Sequence, residues 1–249
     1  MHMKATARAH PIQGLVKYHG MRDPELRLPY HDSISVCTAP TNTTTTVEWL
    51  DDVDAEGGAQ DTYLIDGEEV DGRAAERIAM VVDHVRELAG FDHAVRFESA
   101  NSFPSNIGFG SSSSGFAAAA MALVEAAGLD MSHPEISTVA RRGSSSAARA
   151  VTGAFSHLYA GLNDEDCRSY RLDSDLEDDL KIVAAHVPSY KETEEAHKEA
   201  AESHMFQARV AHIPDQIVEM RDALREASFE RVFELAEHDS LSLTAATMT

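Results

Sequence analysis

Four consecutive serines follow two glycines in residues 105–116 (SNIGFGSSSSGF), directly before the helix-forming segment AAAAMALVEAAG. Glycines let a backbone approach a ligand closely, and serine hydroxyls supply hydrogen-bond donors. The N-terminus of the following helix favours an anion. A flexible Ser/Gly linker has the same composition. Because the run lies between a predicted strand and an apolar helix, we favour a phosphate-binding loop.

The spacing in this stretch excludes two common nucleotide motifs. A P-loop ends in Gly-Lys-Ser or Gly-Lys-Thr, and that ending is absent here. In the stretch GFGSSSSG the third glycine also does not stand at the position that the dinucleotide fingerprint requires. A phosphate loop at this position must therefore belong to another class.

A second serine cluster lies in residues 141–149 (RRGSSSAAR), where three serines follow a glycine and precede Arg149. Hydroxyls together with a guanidinium suit a carboxylate or a phosphate, because arginine offers two parallel donors. An N-capped surface helix with a solvated arginine explains the pattern equally well. The motif alone leaves both interpretations open.

A third stretch, residues 15–23 (LVKYHGMRD), places Lys17 after an apolar, strand-like segment and before a glycine turn. The chain has only five lysines, so Lys17 attracts attention, although a lone lysine is most often solvated surface. His19 is more typical of a polar loop than of a catalytic base. The thirteen histidines show no zinc-binding spacing.

The composition limits the classes of partner. The 249 residues carry 42 acidic and 21 basic side chains, a formal net charge of −21, which disfavours nucleic acids and anionic membranes. The 43% hydrophobic content is enough for a folded core, and no apolar run reaches the roughly 20 residues that span a bilayer. The N-terminus lacks the apolar region of a secretory signal. Cys37 and Cys167 are expected to be reduced thiols of a cytoplasmic protein, although one disulfide is compatible with the sequence.

Two acidic runs, residues 51–56 and 173–179, have neither the glycine nor the closing glutamate of a calcium loop. We interpret them as a solvated surface of a halophilic protein, where high salt screens the repulsion between like charges.

Alternating strand and helix patterns fill the first part of the chain. Strands are predicted at residues 4–10, 33–38, 43–50, 62–65, 94–98 and 154–159. Helices are predicted at residues 72–89, 115–127 and 134–142, the last beginning after a Ser132 cap.

The pattern changes after about residue 172. We predict a strand at 180–187 and then helices at 193–211, 214–227 and 229–249. This change predicts two domains, residues 1–175 and 176–249.

The three motifs, in this order, resemble the mevalonate diphosphate decarboxylase family of the GHMP kinase superfamily. Residues 15–36 (LVKYHGMRDPELRLPYHDSISV) are similar to its KYWGKRD signature followed by a serine-rich strand. Residues 101–118 are similar to its NNFPTAAGLASSASGFAA segment, and residues 140–155 to its ARxGSGSACRS-GGF segment. Residues 237–248 (EHDSLSLTAATM) resemble its late DSNS-HA segment. The RRGSSSAAR element favours the decarboxylases over the other kinases of the superfamily.

The resemblance implies an α+β GHMP kinase fold. It joins an N-terminal domain like domain 2 of ribosomal protein S5 to a C-terminal ferredoxin-like α+β domain. It also implies an ATP- and Mg²⁺-dependent decarboxylase of the mevalonate pathway of isoprenoid biosynthesis. The ATP phosphates are assigned to Gly108, Gly110, Ser111, Ser112 and Ser113, with Mg²⁺ at Ser112. Arg149 is assigned to the substrate carboxylate beside Ser144 and Ser146, while Lys17 and Tyr18 serve the phosphoryl groups, and Lys17 and Arg149 are the predicted catalytic residues.

Three departures from the family motifs bear on the substrate. Met21 replaces the second lysine of KYWGK, His19 replaces its tryptophan, and Ile12 replaces an upstream asparagine. Fewer polar groups near the distal phosphate favour (R)-5-phosphomevalonate, the substrate of the halophilic archaeal branch, over the diphosphate. No clear counterpart of the family's ST-x-GM segment is found in residues 191–198.

The resemblance places the general-base aspartate of the family in a D-[AT]-G segment beyond residue 249. The C-terminal domain is therefore expected to be truncated, and Asp239 belongs to an earlier segment. A 249-residue polypeptide by itself is expected to be severely impaired in catalysis.

Two other functions stay open at this stage. The serine loop alone is compatible with a small-molecule kinase of the same fold, and the missing aspartate is compatible with a non-catalytic binding protein. The family resemblance also implies a homodimer.

Overall fold

The computed structural model describes residues 3–50, 60–104, 108–185 and 193–248. Its strands, in chain order, are β1 (Lys4–Ala9), β2 (Ile12–Val16), β3 (Met21–Asp23), β4 (Leu28–Pro29), β5 (Ser33–Cys37), β6 (Thr43–Leu50), β7 (Thr62–Ile65), β8 (Glu68–Glu69), β9 (Ala94–Asn101), β10 (Phe155–Leu158) and β11 (Ser169–Leu172). Its helices are α1 (Gly72–Ala89), α2 (Ser111–Ala126), α3 (His133–Gly143), α4 (Ala147–Thr152), α5 (Thr193–Glu202), α6 (Phe206–Arg225) and α7 (Phe229–Thr247). The described chain mixes helices and sheets, as the α+β class predicts.

Two larger sheets form the framework. One has five strands in the order β1-β6-β9-β7-β8, and the other has four in the order β11-β10-β5-β2. The short strands β3 and β4 pair with each other. All pairings are antiparallel except that of β7 with β9. Strand β2, which ends at the lysine motif, belongs to the four-stranded sheet, whereas β9, which precedes the serine run, belongs to the five-stranded sheet.

The five-stranded sheet packs against helices α1 to α4. Strand β6 alternates buried and half-buried residues, so Val47 and Trp49 point into this core. Helix α2 fills its centre with alanines, of which Ala117, Ala118 and Ala120 are fully buried. Small side chains let this helix lie close to β1 and β6. The serine run is thus built into the front of a core helix.

The four-stranded sheet shares a second core with the C-terminal helices. Leu15, Val16 and Ile34 pack there with Ile213 of α6 and Val232 of α7. Helix α7 also lies directly against β2. The C-terminal helices therefore touch the strand that ends beside Lys17. The division into domains at 175/176 stays a prediction.

Helix α2 begins four residues earlier than expected. The serines were expected in a loop before residue 115, but Ser111 to Ser114 form the first turn of the helix. Gly110, in the left-handed region at φ 84°, precedes the helix, and the Ser113 hydroxyl donates to its carbonyl oxygen. This local bond offsets the weak helix propensity of serine. By contrast, α1 has the predicted bounds, and the Ser132 cap of α3 is present as a full capping box with Glu135.

The predicted C-terminal elements need two corrections. The strand predicted at 180–187 is wrong for residues 180–185, which form neither strand nor helix, and its last two residues lie outside the described chain. The break predicted at Pro214 is also wrong, because the chain breaks at residues 203–205 and α6 continues through Pro214. The continuous apolar side of α6, with Phe206, Ile213 and Ile217 buried, outweighs the lost proline hydrogen bond.

Of the predicted ferredoxin-like domain, the described residues 176–185 and 193–248 show helices α5 to α7 and no strand. None of the described helices is long and apolar enough to cross a membrane. Both cysteines are free thiols. The acidic run 173–179 is mostly solvent-exposed, whereas the run at 51–56 lies outside the described residues.

Candidate active site

The serine motif forms an open corner in front of α2. Gly108 and Gly110 both have left-handed backbone conformations, with φ of 80° and 84°. A Cβ atom at Gly108 would meet nothing within 4 Å. Residues 105–107 lie outside the described chain. The described part of the motif therefore has two glycines in left-handed conformations and, at Gly108, the open space that a phosphate chain needs.

The four serines divide into two structural classes. The Ser113 hydroxyl accepts from Ile12 N–H at 3.2 Å and donates to Gly110, and the Ser114 hydroxyl shares a 2.6 Å hydrogen bond with Thr43. Both are buried. Ser111 and Ser112 are only half-buried at the start of the helix. Ser113 is thus observed as a brace between the loop and β2, and its direct contact with ATP stays a prediction.

The glycine of RRGSSSAAR joins this motif to α2. A Cβ atom on Gly143 would lie 2.1 Å from Cδ1 of Phe116, so no other residue fits without displacing that ring. Arg77 lies over the other side of Phe116 at 4.8 Å and donates to the Gly143 carbonyl at 2.6 Å. The two serine motifs are therefore packed against each other.

The serines of the second motif lie in the turn between α3 and α4. Ser144 ends α3 and its hydroxyl lies 2.9 Å from that of Ser146. Ser145, which the sequence did not single out, is buried and donates to the Arg27 carbonyl at 2.7 Å. Burial raises the pKa of Tyr18, and the nearby Ser145 hydroxyl opposes that rise. The turn thus connects the predicted substrate serines to the residue next to Lys17.

Arg149 is buried in the middle of the predicted substrate site. One of its terminal nitrogens donates to the hydroxyl of Ser33, and its guanidinium carbon lies 5.2 Å from the centre of the Tyr18 ring. Its Nε atom is buried and has no hydrogen-bond partner in the part of the chain that the structure describes. Burial lowers the pKa of Arg149. A buried guanidinium with a free donor can bind an anion.

The other two arginines of the motif have different roles. Arg141 is fully buried and donates to the carbonyl oxygens of Leu26, Cys167 and Asp164. The side chains of Arg141 and Arg142 both pair with the Asp164 carboxylate. They hold the fold together through Asp164, whereas Arg149 has no carboxylate partner among the described residues.

Lys17 immediately follows β2, where pairing with β5 ends at Val16 and Ile34. Its side chain reaches solvent, but the protein around it displaces water and lowers its pKa. The positive charge of Arg149 lowers that pKa further, whereas Asp239 opposes the shift. Tyr18, the neighbour of Lys17 in the chain, contacts the Arg149 guanidinium, so the structure brings the two predicted catalytic residues into one site.

Three histidines surround the Lys17 loop. His19 and His197 contact each other edge to face at 5.1 Å, and the His197 ring stacks on Tyr18 at 5.3 Å. Burial is the main cause that lowers the pKa of His19 to about 2 and those of His31 and His197 to about 4. The neighbouring positive groups contribute to all three shifts. All three histidines are neutral near pH 7, and the N–H of a neutral imidazole can donate to an anion.

Sequence reasoning missed several of these residues. Arg209 lies on a helix that the motifs do not cover, and His197 lies in a segment without a clear family counterpart. Asp239 lies in the segment that resembles the DSNS-HA motif, but it was not assigned to the site. Ser33 was placed in a strand but not in the site. The chain has sixteen arginines, so only the burial of Arg209 distinguishes it.

The residues present fit ATP and Mg²⁺ at the serine corner. Half-buried hydroxyls at Ser111 and Ser112 are hard oxygen donors of the type that Mg²⁺ accepts, and a 16-residue helix directs its N-terminus at the same place. The described residues contain no group of three or more His, Cys, Asp or Glu side chains able to hold a metal by themselves. This donor set suits a metal that arrives with nucleotide phosphates.

Comparison with known proteins agrees with this geometry. Residues 9–169 match the model of the diphosphomevalonate decarboxylase-like N-terminal domain. The chain is 75% identical over 247 residues to the phosphomevalonate decarboxylase of Haloferax volcanii, covering 99% of this chain and 75% of that protein.

Solved structures show the same similarity. Mevalonate diphosphate decarboxylase from Staphylococcus aureus superposes with a TM-score of 0.86 at 31% identity, over 99% of this chain and 74% of that one. The structure of MDDEF in complex with MVAPP, AMPPCP and magnesium gives a TM-score of 0.85 at 26% identity, over 99% and 75%. The chain has the GHMP kinase fold of these enzymes. It belongs to the diphosphomevalonate decarboxylase family.

Proposed function

We propose that the chain is an ATP-dependent decarboxylase of the mevalonate pathway. It converts (R)-5-phosphomevalonate and ATP into isopentenyl phosphate, CO2, ADP and phosphate. The observation that carries this proposal is the buried Arg149, whose free Nε donor lies in the same site as Lys17. A kinase that leaves the carboxylate untouched has no need to bury a cation for it.

The reaction has two parts. The oxygen of the 3-hydroxyl attacks the γ-phosphorus of ATP, its proton passes to a general base, and the bond to ADP breaks. The phosphorylated oxygen then leaves as phosphate while the bond to the carboxylate breaks, and its electron pair forms the new carbon–carbon double bond. The first part needs positioned phosphates and charge neutralisation more than covalent help from the protein.

The side chains divide these tasks. Gly108, Gly110 and Ser111 hold the ATP phosphates, and Ser112 holds Mg²⁺. Bound Mg²⁺ neutralises phosphate charge. This assignment is supported by the half-buried first turn of α2 and by the AMPPCP and magnesium bound in the related MDDEF structure.

At the substrate end, Arg149 binds the carboxylate and Ser144 and Ser146 donate hydrogen bonds beside it. Lys17 and Tyr18 bind phosphoryl oxygens. The burial of Arg149 and Tyr18 supports these roles, because charge-assisted hydrogen bonds gain strength where water is excluded.

The monophosphate is favoured by the residues near Lys17. Met21 and Ile12 stand where the family carries a lysine and an asparagine, and Ile12 is packed in the core. His19 is neutral at pH 7 because its pKa is lowered to about 2. The name of the Haloferax relative, with 75% identity, supports the same substrate.

The diphosphate is the alternative substrate. The matched N-terminal domain model and the Staphylococcus structure both carry the name of the diphosphate enzyme. The neutral imidazoles of His19 and His197, which contact each other edge to face, each carry one N–H that can donate to a second phosphate.

Product analysis tests the proposed reaction. The full-length protein is given ATP, Mg²⁺ and carboxyl-labelled 5-phosphomevalonate in molar salt, and released CO2 and ³¹P spectra are recorded. We expect labelled CO2 and isopentenyl phosphate in equal amounts. A stable doubly phosphorylated product that keeps its label would establish a kinase, and nucleotide binding without any turnover would establish a binding protein.

We further propose that the protein works in the cytoplasm as a homodimer. The family resemblance supports the dimer, and the acidic composition fits a salt-rich interior. Sedimentation in molar salt and fractionation of cells check both statements, and a concentration-independent monomer mass would exclude the dimer.

A further inference from the structure

Arg209 and Asp239 form a buried ion pair between the C-terminal helices. No motif marks Arg209, whereas Asp239 lies in residues 237–248, the segment that resembles the family's DSNS-HA motif. Arg209 of α6 donates to the Asp239 carboxylate of α7 at 2.7 Å, and each side chain is only 2% exposed. Arg209 also donates to the Asp239 carbonyl at 3.3 Å and to the Ser242 hydroxyl at 3.0 Å. The guanidinium is therefore fixed against α7 by three bonds.

The same pair binds the backbone of Lys17 on both sides. The Lys17 N–H donates to Asp239 Oδ2 at 2.8 Å, and Arg209 donates to the Lys17 carbonyl at 2.6 Å. Lys17 has just left the ladder between β2 and β5, whose last pair is Val16 with Ile34. The ion pair thus takes over the hydrogen bonds that a neighbouring strand would make. We call Arg209 and Asp239 the lysine clamp.

The rest of the loop is held by the same group of helices. Gly20 N–H donates to Nδ1 of His197 at 3.2 Å. A Cβ atom on Gly20, which has φ of 80°, would lie 2.6 Å from the Phe206 ring of α6. Residues 17–20 are therefore seated on α5, α6 and α7, and the lysine clamp is the charged part of that seat.

Joining two helices through a buried ion pair carries a large desolvation cost. Burying both charges costs desolvation energy that their attraction only roughly repays, so apolar residues often stabilise a core as well. The ion pair between Arg209 and Asp239 is better explained by its orientation of the Lys17 backbone. One carboxylate oxygen of Asp239 accepts from Arg209, and the other accepts from the backbone N–H of Lys17.

The electrostatics of the site explain why Lys17 needs such support. Lys17 and Arg149 repel each other, yet both must face one anionic substrate. Without substrate the repulsion drives the lysine away from the arginine. Asp239 attracts the ammonium while its oxygen holds the backbone, so it opposes that movement in two ways.

We propose that Arg209 and Asp239 are positioning residues that keep Lys17 beside Arg149 before the substrate binds, without touching the substrate themselves. This proposal rests on the proposed function, because it assigns Lys17 to the phosphoryl groups. It makes the C-terminal helices part of the active site.

Two conservative substitutions remove parts of the clamp. Asp239→Asn keeps the size and one acceptor for Lys17 N–H but removes the charge. Arg209→Lys keeps the charge but cannot serve Asp239 and the Lys17 carbonyl at once. Glu219→Gln is the matched control, because Glu219 also joins α6 to α7 through an ion pair with Arg231, on the exposed side.

Turnover of the full-length protein is measured with 5-phosphomevalonate, ATP and Mg²⁺. We expect kcat/KM for the phosphomevalonate to fall at least 30-fold in Asp239→Asn and Arg209→Lys, with KM for ATP changed less than threefold. The control is expected to stay within twofold of the wild type. Wild-type kcat/KM in a folded Asp239→Asn protein, or an equal loss in Glu219→Gln, would overturn the proposal.

A pH profile separates positioning from a purely structural role. Lys17 faces Arg149 on α4, Asp239 on α7, Arg209 on α6 and His197 on α5, with His19 in its own loop. Loss of the Asp239 charge withdraws the influence that raises the Lys17 pKa. The alkaline limb of kcat/KM is therefore expected to move to lower pH in Asp239→Asn and to stay in place in Glu219→Gln. An unmoved limb in Asp239→Asn would contradict the clamp.

Amide hydrogen exchange provides a readout that needs no turnover. In the wild type we expect slow exchange at Lys17 and Gly20, and at least tenfold faster exchange at Lys17 in Arg209→Lys. If Asp239→Asn fails to fold, Ser242→Ala removes only one support of Arg209 and is expected to show a smaller acceleration at Lys17. Fast exchange at Lys17 in the wild type refutes the clamp. Slow exchange in a protein that releases no CO2 refutes the proposed reaction alone.

Discussion

The guanidinium of Arg149 lies over the ring of Tyr18, with 5.2 Å between the guanidinium carbon and the ring centre. One residue ends the RRGSSSAAR motif, and the other follows Lys17 at the end of β2. This contact joins two motifs that are more than a hundred residues apart in the sequence. It also shields one side of the cation from water, which strengthens the attraction of its remaining donors for an anion.

Replacement of Arg149 is expected to abolish most of the activity. Arg149→Lys loses the planar fork, and Arg149→Gln also loses the charge. We expect kcat/KM to fall about 100-fold and about 1,000-fold, because truncating one partner of a buried charge pair costs about 2–5 kcal/mol. Arg142→Lys, which can still pair with Asp164, is the control and is expected to keep its activity.

Thermal unfolding of the Arg149 variants distinguishes function from folding. Arg149 has no ion-pair partner among the described residues, so its buried charge adds little to stability. The melting temperature is expected to stay the same or rise in Arg149→Gln. A large drop in melting temperature would mean that Arg149 holds the fold rather than the substrate.

The serine corner predicts different results for adjacent residues. Ser112→Ala removes a half-buried hydroxyl assigned to Mg²⁺ and is expected to raise KM for MgATP about tenfold, because the metal loses one oxygen ligand. Ser113→Ala removes two hydrogen bonds inside the protein and is expected to lower stability by about 1–2 kcal/mol. Unchanged nucleotide affinity and turnover in Ser112→Ala would return this segment to the role of a linker.

Gly143 provides a test of packing between the two serine motifs. Gly143→Ala forces a methyl group into the Phe116 ring and is expected to destabilise the protein by about 1–3 kcal/mol in urea unfolding. Gly143→Ala combined with Phe116→Leu is expected to recover much of that loss. Additive destabilisation in the double variant would show that the ring is not the source of the strain.

Stability is expected to decrease in mild acid because of the buried histidines. Since the pKa of His197 is lowered from 6.5 to about 4, the unfolded chain binds a proton between these values that the folded chain rejects. The contribution of His197 is complete above pH 6.5 and is lost as the pH falls toward 4, by about 2 kcal/mol at pH 5. Urea unfolding at pH 7 and pH 5 is expected to show a smaller difference in His197→Gln. The exposed His204→Gln serves as the control and is expected to behave as the wild type.

The titration of Lys17 predicts a second pH dependence, this time of activity and on the alkaline side. The pKa of Lys17 is lowered by burial and by Arg149, so its charge is lost below the pH at which an ordinary lysine is neutralised. We expect the alkaline limb of kcat/KM to lie below pH 10.5 and to move upward in Lys17→Arg, because arginine stays charged. An alkaline limb shared by both proteins would assign it to another group.

Motif order located the site, but the sequence did not show how the site is supported. Glycines, serines, Lys17 and Arg149 carry local signals in their residue types and spacing, and the comparisons confirm the family to which they point. In the lysine clamp Arg209 has no such signal, and the motif-like segment around Asp239 does not reveal its partners, since the two residues meet only after α6 and α7 pack on β2.

The wrong elements have a common physical cause. Pro214 and the residues 180–185 were assigned from local propensity, which tertiary packing overrides in α6 and does not support at 180–185. The prediction that the serine run forms a loop was wrong because hydrogen bonds stabilise these residues as the first turn of a helix. Its hydroxyls bond back to the helix backbone and to Thr43, which no local pattern reveals.

The most direct test of the central claim compares the two phosphorylated mevalonates side by side. The full-length protein is assayed for CO2 release with ATP and Mg²⁺ in molar salt, with (R)-5-phosphomevalonate in one series and its diphosphate in the other. The account predicts a kcat/KM at least 100-fold higher for the monophosphate, with isopentenyl phosphate as product. Equal or preferred use of the diphosphate would contradict the substrate assignment, and no CO2 from either would contradict the proposed function.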